Sequence, residues 1–378
     1  MEEATRGTEY TTERSLYLAF ELSNSKWKLG FGTGLGQNPR RRAVDAGDLA
    51  SLRQEIEVAK RRLGLAADAP VKSCYEAGRD GFWLHRYLLE QEVENLVVDS
   101  SSIEVDRRAK RAKTDRIDVG KLLNMLIRHH SGEETVWRVV HVPSVEAEDM
   151  RHLHRQLLTL KVDRTRHICR IKSLLVTQGL NVPIHIDFLD TLAAARTWDG
   201  SSLPPGLRAR IEREYASLRY VEQQIKEIET ERDGLIEASE NPSVVQVRQL
   251  MKLKGIGPNS AWLFVMEFFA WRQFRNRREV GGLAGLTPTP YQSGEESREQ
   301  GISKAGNRPV RAMAIEIAWC WLRYQPDSGL SQWFREKCSQ GSKRMRKVAI
   351  VALARKLLIA LWRYLETGEI PAGATFSS

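Results

Sequence analysis

The sequence predicts an α/β domain at the N-terminus, then a long helical arm, then a mainly α C-terminal domain. Strand-like and helix-like apolar patterns alternate through roughly the first 130 residues, as expected where helices cover a sheet. Two long stretches of helical periodicity follow, and Asn241 with Pro242 then marks a change to a compact apolar segment. The boundaries fall at a tail of residues 1–14, an α/β domain of 15–135, an arm of 136–242 and a last domain of 243–378.

Residues 15–23, SLYLAFELS, alternate in polarity, and KWKLGFG follows after a polar turn at Asn24 and Ser25, which reads as a β-hairpin. Asp48 is placed to cap a helix running to about Leu63. Residues 71–75 then form a buried strand ending at Glu76, residues 82–89 a helix and residues 95–98 another strand. Between 146 and 175, Met150, Leu153, Leu157, Leu160, Ile168, Ile171 and Leu175 recur at helical spacing. The opposite face carries Arg155, Lys161, Arg164, Arg166, Arg170 and Lys172, a basic stripe able to touch nucleic acid.

After a loop at 201–206, Ile211, Leu218 and Ile225 keep heptad spacing, with Val221, Ile228 and Leu235 as a second seam. The two long helices are expected to make a coiled-coil arm suited to subunit assembly. The last domain, to about Gly368, reads as largely helical, with Gly- and Pro-rich turns over 281–306.

Composition narrows the function. In 378 residues, 58 Lys and Arg face 48 Asp and Glu, a net charge of +10 that favours an anionic partner, nucleic acid first. No apolar run reaches the roughly 18–20 residues of a spanning helix, because Arg355 and Lys356 break the run of 348–362. The polar first residues lack a signal-peptide core, so a cytoplasmic protein is expected. Cys74, Cys169, Cys320 and Cys338 form no C-x-x-C pair, against a disulfide framework or a zinc knuckle. His152 and His154 lie two apart on a helix and point in different directions, and His129 with His130 is no better placed to chelate.

Four carboxylates form a candidate metal site. Glu21 sits between Phe20 and Leu22 in an apolar strand, where burial demands a partner. Glu76 ends a later strand, and Asp115 and Asp118, three apart, project from one face of a helix start. Oxygen-only clusters of this kind suit Mg²⁺, and two such ions roughly 4 Å apart support phosphoryl transfer. Each residue also has a plain reading: Asp115 as a helix cap, Glu76 as a cap or ion-pair partner, Asp118 on a solvated face. Arg107, Arg108, Lys110, Arg111 and Lys113 place a basic run directly before the acidic pair, fit for phosphate contacts.

In the C-terminal half, KGIGPNS is a glycine-rich turn of the helix-hairpin-helix type. There Lys254, Gly255 and Gly257 would let backbone amides approach a phosphate, unless the segment is simply an interhelix turn. Ser293 lies in a loop with Ser297 and Ser303, and a loop serine is more often a turn residue than a nucleophile. Lys304, Arg308 and Arg311 follow as candidates for phosphate positioning. SKRMRK at 342–347 is either a backbone grip or a charged helix start.

CYEAG at 74–78, KTDRIDVGKL at 113–122 and the segment LAGLTPTPYQSGEESREQGISKAGNRPVRAMAIEIAW at 283–319 together resemble the RuvC-like DEDD transposases of insertion sequences, the bridge-RNA-guided recombinases. The resemblance runs from the first strand to about Leu361. It implies an RNase H/RuvC-like N-terminal domain and a serine-bearing transposase domain at the C-terminus. It further implies Mg²⁺ on Glu21, Glu76, Asp115 and Asp118, and Ser293 as nucleophile toward a DNA phosphate through a covalent phosphoserine. Its implied partners are donor and target DNA, a structured noncoding bridge RNA, and further copies of the chain in a homodimer or homotetramer. One departure stands out, since Glu21 occupies a place where the family usually has Asp, one methylene shorter. A metal-only junction nuclease and a non-catalytic nucleic-acid scaffold are the competing readings.

Overall fold

Alternating side chains build the first sheet. β1 (Leu16–Glu21) and β2 (Lys26–Gly32) are antiparallel, as the hairpin pattern predicts, and β3 (Arg40–Asp45) extends them on the far side of β2. The arginine-rich β3 has no apolar alternation in its sequence, which is why it goes unread there. β4 (Val71–Glu76) and β5 (Val93–Val98) join parallel to β1, giving the strand order β3-β2-β1-β4-β5. This is a computed structural model, and it describes residues 14–103, 115–293, 296–339 and 342–377, with the backbone alone at 101, 115–118 and 290–300.

Helices cover both faces of the sheet. α1 (Leu49–Arg62) starts where Asp48 accepts the Ser51 N–H at 3.0 Å. With α2 (Trp83–Glu90) it closes a core containing Leu16, Leu18, Phe20, Trp27 and Tyr75. The other face, with Ala19 and Cys74, is covered by Leu122, Leu123 and Leu126 of α3 (Asp115–His130). Each large side chain fully buried in these layers contributes about 1.5–3 kcal/mol. Helix α3 lies tight on the strands at Gly30, where a Cβ would come within 2.4 Å of Val119 Cγ1.

The chain divides into two compact units, Met1–Val142 and Pro143–Ser378. In the second, α4 (Val145–Val176) and α6 (Pro205–Ala238) run antiparallel, with Leu157, Leu160, Val221, Ile225 and Ile228 between them. The short α5 (Phe188–Ala194) packs near one end, with Phe188 against Tyr215 at 4.9 Å. Pairs across the seam fix its register: Lys161 with Glu229 at 2.9 Å, and His167 and Arg170 with Glu214 at 2.7 and 3.0 Å.

The rest of this unit is a helical core. It comprises α7 (Pro242–Met251), α8 (Pro258–Phe264), a π-helical turn at Val265–Phe269, α9 (Arg277–Leu283), α10 (Arg308–Tyr324), α11 (Gly329–Cys338) and α12 (Lys343–Thr367). Between α9 and α10 the sequence pattern led to turns alone. The structure instead forms a two-stranded sheet, β6 (Pro288–Ser293) and β7 (Glu296–Ile302), whose prolines, glycine and charges hide any period-two signal.

Helix α4 joins this core through charge. Arg155 grips the buried Glu267 of the π-helical turn with two bonds, 2.6 and 3.0 Å. Arg272 donates to the Glu267 backbone carbonyl at 2.6 Å and lies over the Trp271 ring. His154, 2% exposed, lies beside this cluster; burial pushes its imidazole down to about 4, with Arg232 and Lys161 acting in the same sense and Glu267 opposing.

Two predictions follow from packing and burial. Gly30→Ala should lower stability by about 1–3 kcal/mol in urea denaturation, and adding Val119→Ala should restore part of it; an unshifted midpoint would show that α3 does not seat at Gly30. His154 carries a folded-state value below the ordinary 6.5, so the unfolded chain takes up the proton first. The associated stability is therefore complete above about 6.5 and lost as the pH falls towards about 4. Between pH 7 and pH 5 the loss should be about 2 kcal/mol, and a His154→Leu chain should show less of it when both are unfolded in urea at the two pH values.

Candidate active site

The two glutamates of the candidate site end neighbouring parallel strands. Register pairs Phe20 with Tyr75, so Glu21 and Glu76 come next, side by side at the carboxyl edge of β1 and β4. Alternation sends Leu18, Phe20 and Tyr75 to the α1–α2 core and Ala19 and Cys74 to the α3 core, so both glutamates belong to the α3 face. Lys28 is the cross-strand partner of Glu21, placing a cation on the same face.

The direction of α3 completes the arrangement. His130 packs near Tyr17, 5.9 Å between ring centroids, Leu123 lies against Gly32, the partner of Tyr17, and Val119 lies against Gly30, the partner of Ala19. Going from its C-terminus to its N-terminus, the helix therefore climbs β1 towards Glu21. One further turn, about 5.4 Å, leads from Val119 to Asp115, while the step from Ala19 to Glu21 is about 6.7 Å. The backbone thus delivers the helix start bearing Asp115 and Asp118 to the edge that carries Glu21 and Glu76.

Asp99, the half-buried residue directly after β5, joins the same edge, because Val98 is the register partner of Glu76. The sequence reading passed over it, although an acid directly following the apolar strand NLVV was signal enough. Among the described residues no cluster of three or more His, Cys, Asp or Glu could hold a metal ion, and the side chains of Asp115 and Asp118 fall outside that description. As donors, the edge carboxylates offer only oxygen, which fits Mg²⁺. The basic candidates Arg107, Arg108, Lys110, Arg111 and Lys113 lie outside the described residues.

Ser293 is the last residue of β6 and pairs with Glu296 at the tip of the β6–β7 sheet, a position the sequence reading assigned to a loop. The stem below is held by backbone. Ser303 N–H donates to the Thr287 carbonyl at 2.8 Å, Lys304 N–H to Gly285 at 3.2 Å and Asn307 N–H to Leu283 at 2.9 Å. Gly285 and Gly306 have φ of +69° and +108°, and a Cβ on either would fall within 2.3 Å of a carbonyl oxygen.

The other candidate cations divide by role. Lys304 and Arg308 are exposed at the foot of this stem, whereas the Arg311 guanidinium donates to the Ala284 carbonyl at 3.2 Å and braces it. At the glycine turn between α7 and α8, Lys254 N–H donates to Thr375 at 3.1 Å, and the Lys254 carbonyl accepts from the Gln325 amide at 2.9 Å. Gly255, at φ +93°, leaves space for Tyr324, whose Cβ would be 3.2 Å from an added methyl. The turn is therefore tied into its own unit, and its glycine has a packing reason.

The geometry stands beside clear similarities. Residues 247–332 match the model described as Transposase IS116/IS110/IS902 family. The chain is 40% identical over 380 residues to y4rJ of Sinorhizobium fredii, a protein inferred to be a transposase, covering 96% of this chain and 95% of that one. It is 27% identical to the transposase for insertion sequence element IS1328 of Yersinia enterocolitica, over 61% of this chain and 68% of the relative. A third relative, the transposase for insertion sequence element IS1111A of Coxiella burnetii, is 26% identical over 61% and 62%. Two of the three are named for insertion sequence elements, and the class that these relatives define is that of the transposases. The chain belongs to the IS116/IS110/IS902 family.

The stem geometry generates a prediction. Gly306→Ala should cut transposition at least about tenfold while costing about 1–3 kcal/mol of stability, because the new methyl must displace the Leu283 carbonyl. A plasmid transposition assay beside a thermal melt checks this, and full activity in the variant would show that the stem does not position the hairpin.

Proposed function

We propose that this transposase cuts and rejoins donor and target DNA through a phosphoserine at Ser293, aided by a Mg²⁺-binding set of Glu21, Glu76, Asp115 and Asp118. The observation that carries the reading is the convergence of β1, β4 and the start of α3 on one sheet edge. Ligands of open sheets gather outside the carboxyl ends of parallel strands, and acids on three elements there support an RNase H/RuvC-like assignment. Mg²⁺ bound to such a set polarises phosphoryl oxygens and offsets their charge.

The serine step balances as a transfer. Ser293 Oγ forms a bond to a DNA phosphorus as the bond to one sugar oxygen breaks, and the proton lost from Oγ ends on that leaving oxygen. A sugar hydroxyl of a second strand then attacks the phosphoserine, restoring Ser293 and a phosphodiester. One phosphodiester is exchanged for another, so no external energy source is required. Serine needs activation for this chemistry, and Ser293 ends β6 at the tip of a hairpin whose stem is braced by backbone hydrogen bonds. The same reading assigns sequence choice to a structured bridge RNA, leaving the protein to recognise backbone shape and charge. Joining two DNAs also calls for at least two copies of the chain, with α4 and α6 as a coiled-coil assembly element in a homodimer or homotetramer.

The test is recombination with purified protein, Mg²⁺, the noncoding RNA flanking the element, and donor and target DNA. Ser293→Ala and Asp115→Ala should each reduce product at least about a thousandfold, and omission of the RNA should abolish it. A covalent protein–DNA species should be trapped in wild type and be missing from Ser293→Ala. Product that survives Ser293→Ala would replace this reading with metal-only junction cleavage, and inactivity of wild type under all conditions would favour a binding scaffold.

A further inference from the structure

A cavity of about 540 Å³ opens in the second unit between α9, α12 and the segment after α12. Its lining holds five cations, Arg277, Arg278, Arg355, Lys356 and Arg363, against one carboxylate, Glu369. Among the described residues none of the five is ion-paired, in contrast to the cations of α4 that face α6. Arg355 and Arg363 lie two turns apart on one face of α12, about 12 Å along its axis. Arg355 is pressed against α9, with its Cδ 3.3 Å from where a Cβ on Gly281 would stand, and Lys356 sits over the Trp333 ring at 4.8 Å. Leu330, Ile359, Ala360 and Pro371 supply an apolar wall.

We propose that this cavity binds one nucleotide of an unpaired nucleic-acid strand, with its phosphates on the cations and its base against the apolar wall. Unpaired cations gathered in one concavity repel one another, and an anion that pairs with several at once relieves the cost. Arginine forks match phosphate oxygens two at a time. Size excludes a duplex: 540 Å³ is the volume of a sphere about 10 Å across, narrower than the ~12 Å major groove of B-DNA alone. A single strand can thread one nucleotide inside, and base faces pack on apolar surface whatever the sequence. DNA and RNA strands share this chemistry. None of the lining residues is among the serine or carboxylate candidates, so the proposal stands whether or not the serine chemistry does.

Binding of labelled 12-mers by the full chain tests it, using single-stranded DNA, single-stranded RNA and the DNA duplex across a salt series. Arg363→Gln with Arg277→Gln, both exposed positions, should weaken single-strand binding about tenfold or more and lower the salt slope by about 1.4, with duplex affinity changed less than twofold. Ala360→Phe keeps every charge but fills the cavity, and it should weaken single-strand binding to a similar degree. Thermal melts establish that the variants fold; if Ala360→Phe melts early, the arginine pair decides alone. Ser293→Ala should bind strands as wild type does, which separates a failure here from a failure of the serine reading. Preferential loss with DNA or with RNA identifies the strand the cavity takes. Equal weakening of duplex and single strand, or no effect of the folded variants, overturns the proposal.

Discussion

The candidate carboxylate site depends on a missing side chain. At Gly30 the backbone of β2 lets Val119 come so close that a methyl group there would overlap it, and this contact sets the height of α3 above the sheet. Height and direction together determine whether the helix start reaches the edge where β1 and β4 end. Mutual repulsion among the acids would push it away. The apolar contacts of Leu122, Leu123 and Leu126 with Ala19 and Cys74 oppose that repulsion along the length of the helix. The helix start that carries two of the candidate acids is thus anchored by the hydrophobic layer that follows it along α3.

The second unit solves a different problem, how to carry a hairpin that could not stand alone. Two strands by themselves are marginal in water, so β6 and β7 borrow order from their stem. There the loops on either side approach so closely that only glycine fits at 285 and 306, and Arg311 and Asn307 tie the stem to the start of α10. The large apolar core around Trp262, Phe268, Trp321 and Leu357 then fixes α10 itself. Order passes outward from this core to the stem and along it to Ser293.

The sequence revealed those features that repeat with a period. The β1–β2 hairpin, the Asp48 cap, the strands ending at Glu76 and Val98 and the long helices all announce themselves by alternation, capping chemistry or helical spacing. Elements without a period were missed: β3 because its run of three arginines carries no apolar alternation, and β6–β7 because cross-strand pairing is invisible in a stretch of Pro, Gly and charge. For the carboxylates, local pattern could nominate each residue, but only strand order brings Glu21 beside Glu76, since 54 residues and a helix separate them in the chain. Strand order likewise adds Asp99, which local reading ignored.

Charge shows the same limit. A surplus of ten positive charges announces an anionic partner without locating it. The basic stripe of α4 looks like an interface when read along one helix, yet Arg155, Lys161 and Arg170 each face a glutamate brought from elsewhere in the fold. Their charge is largely spent on holding α4 to α6 and to the π-helical turn. Around α9 and α12 the opposite holds: cations that look scattered in sequence, at 277, 278, 355, 356 and 363, are drawn into one concavity with a single carboxylate among them. What attracts a polyanion is therefore the charge left over after folding has paired the rest, and that remainder depends on tertiary structure rather than on composition.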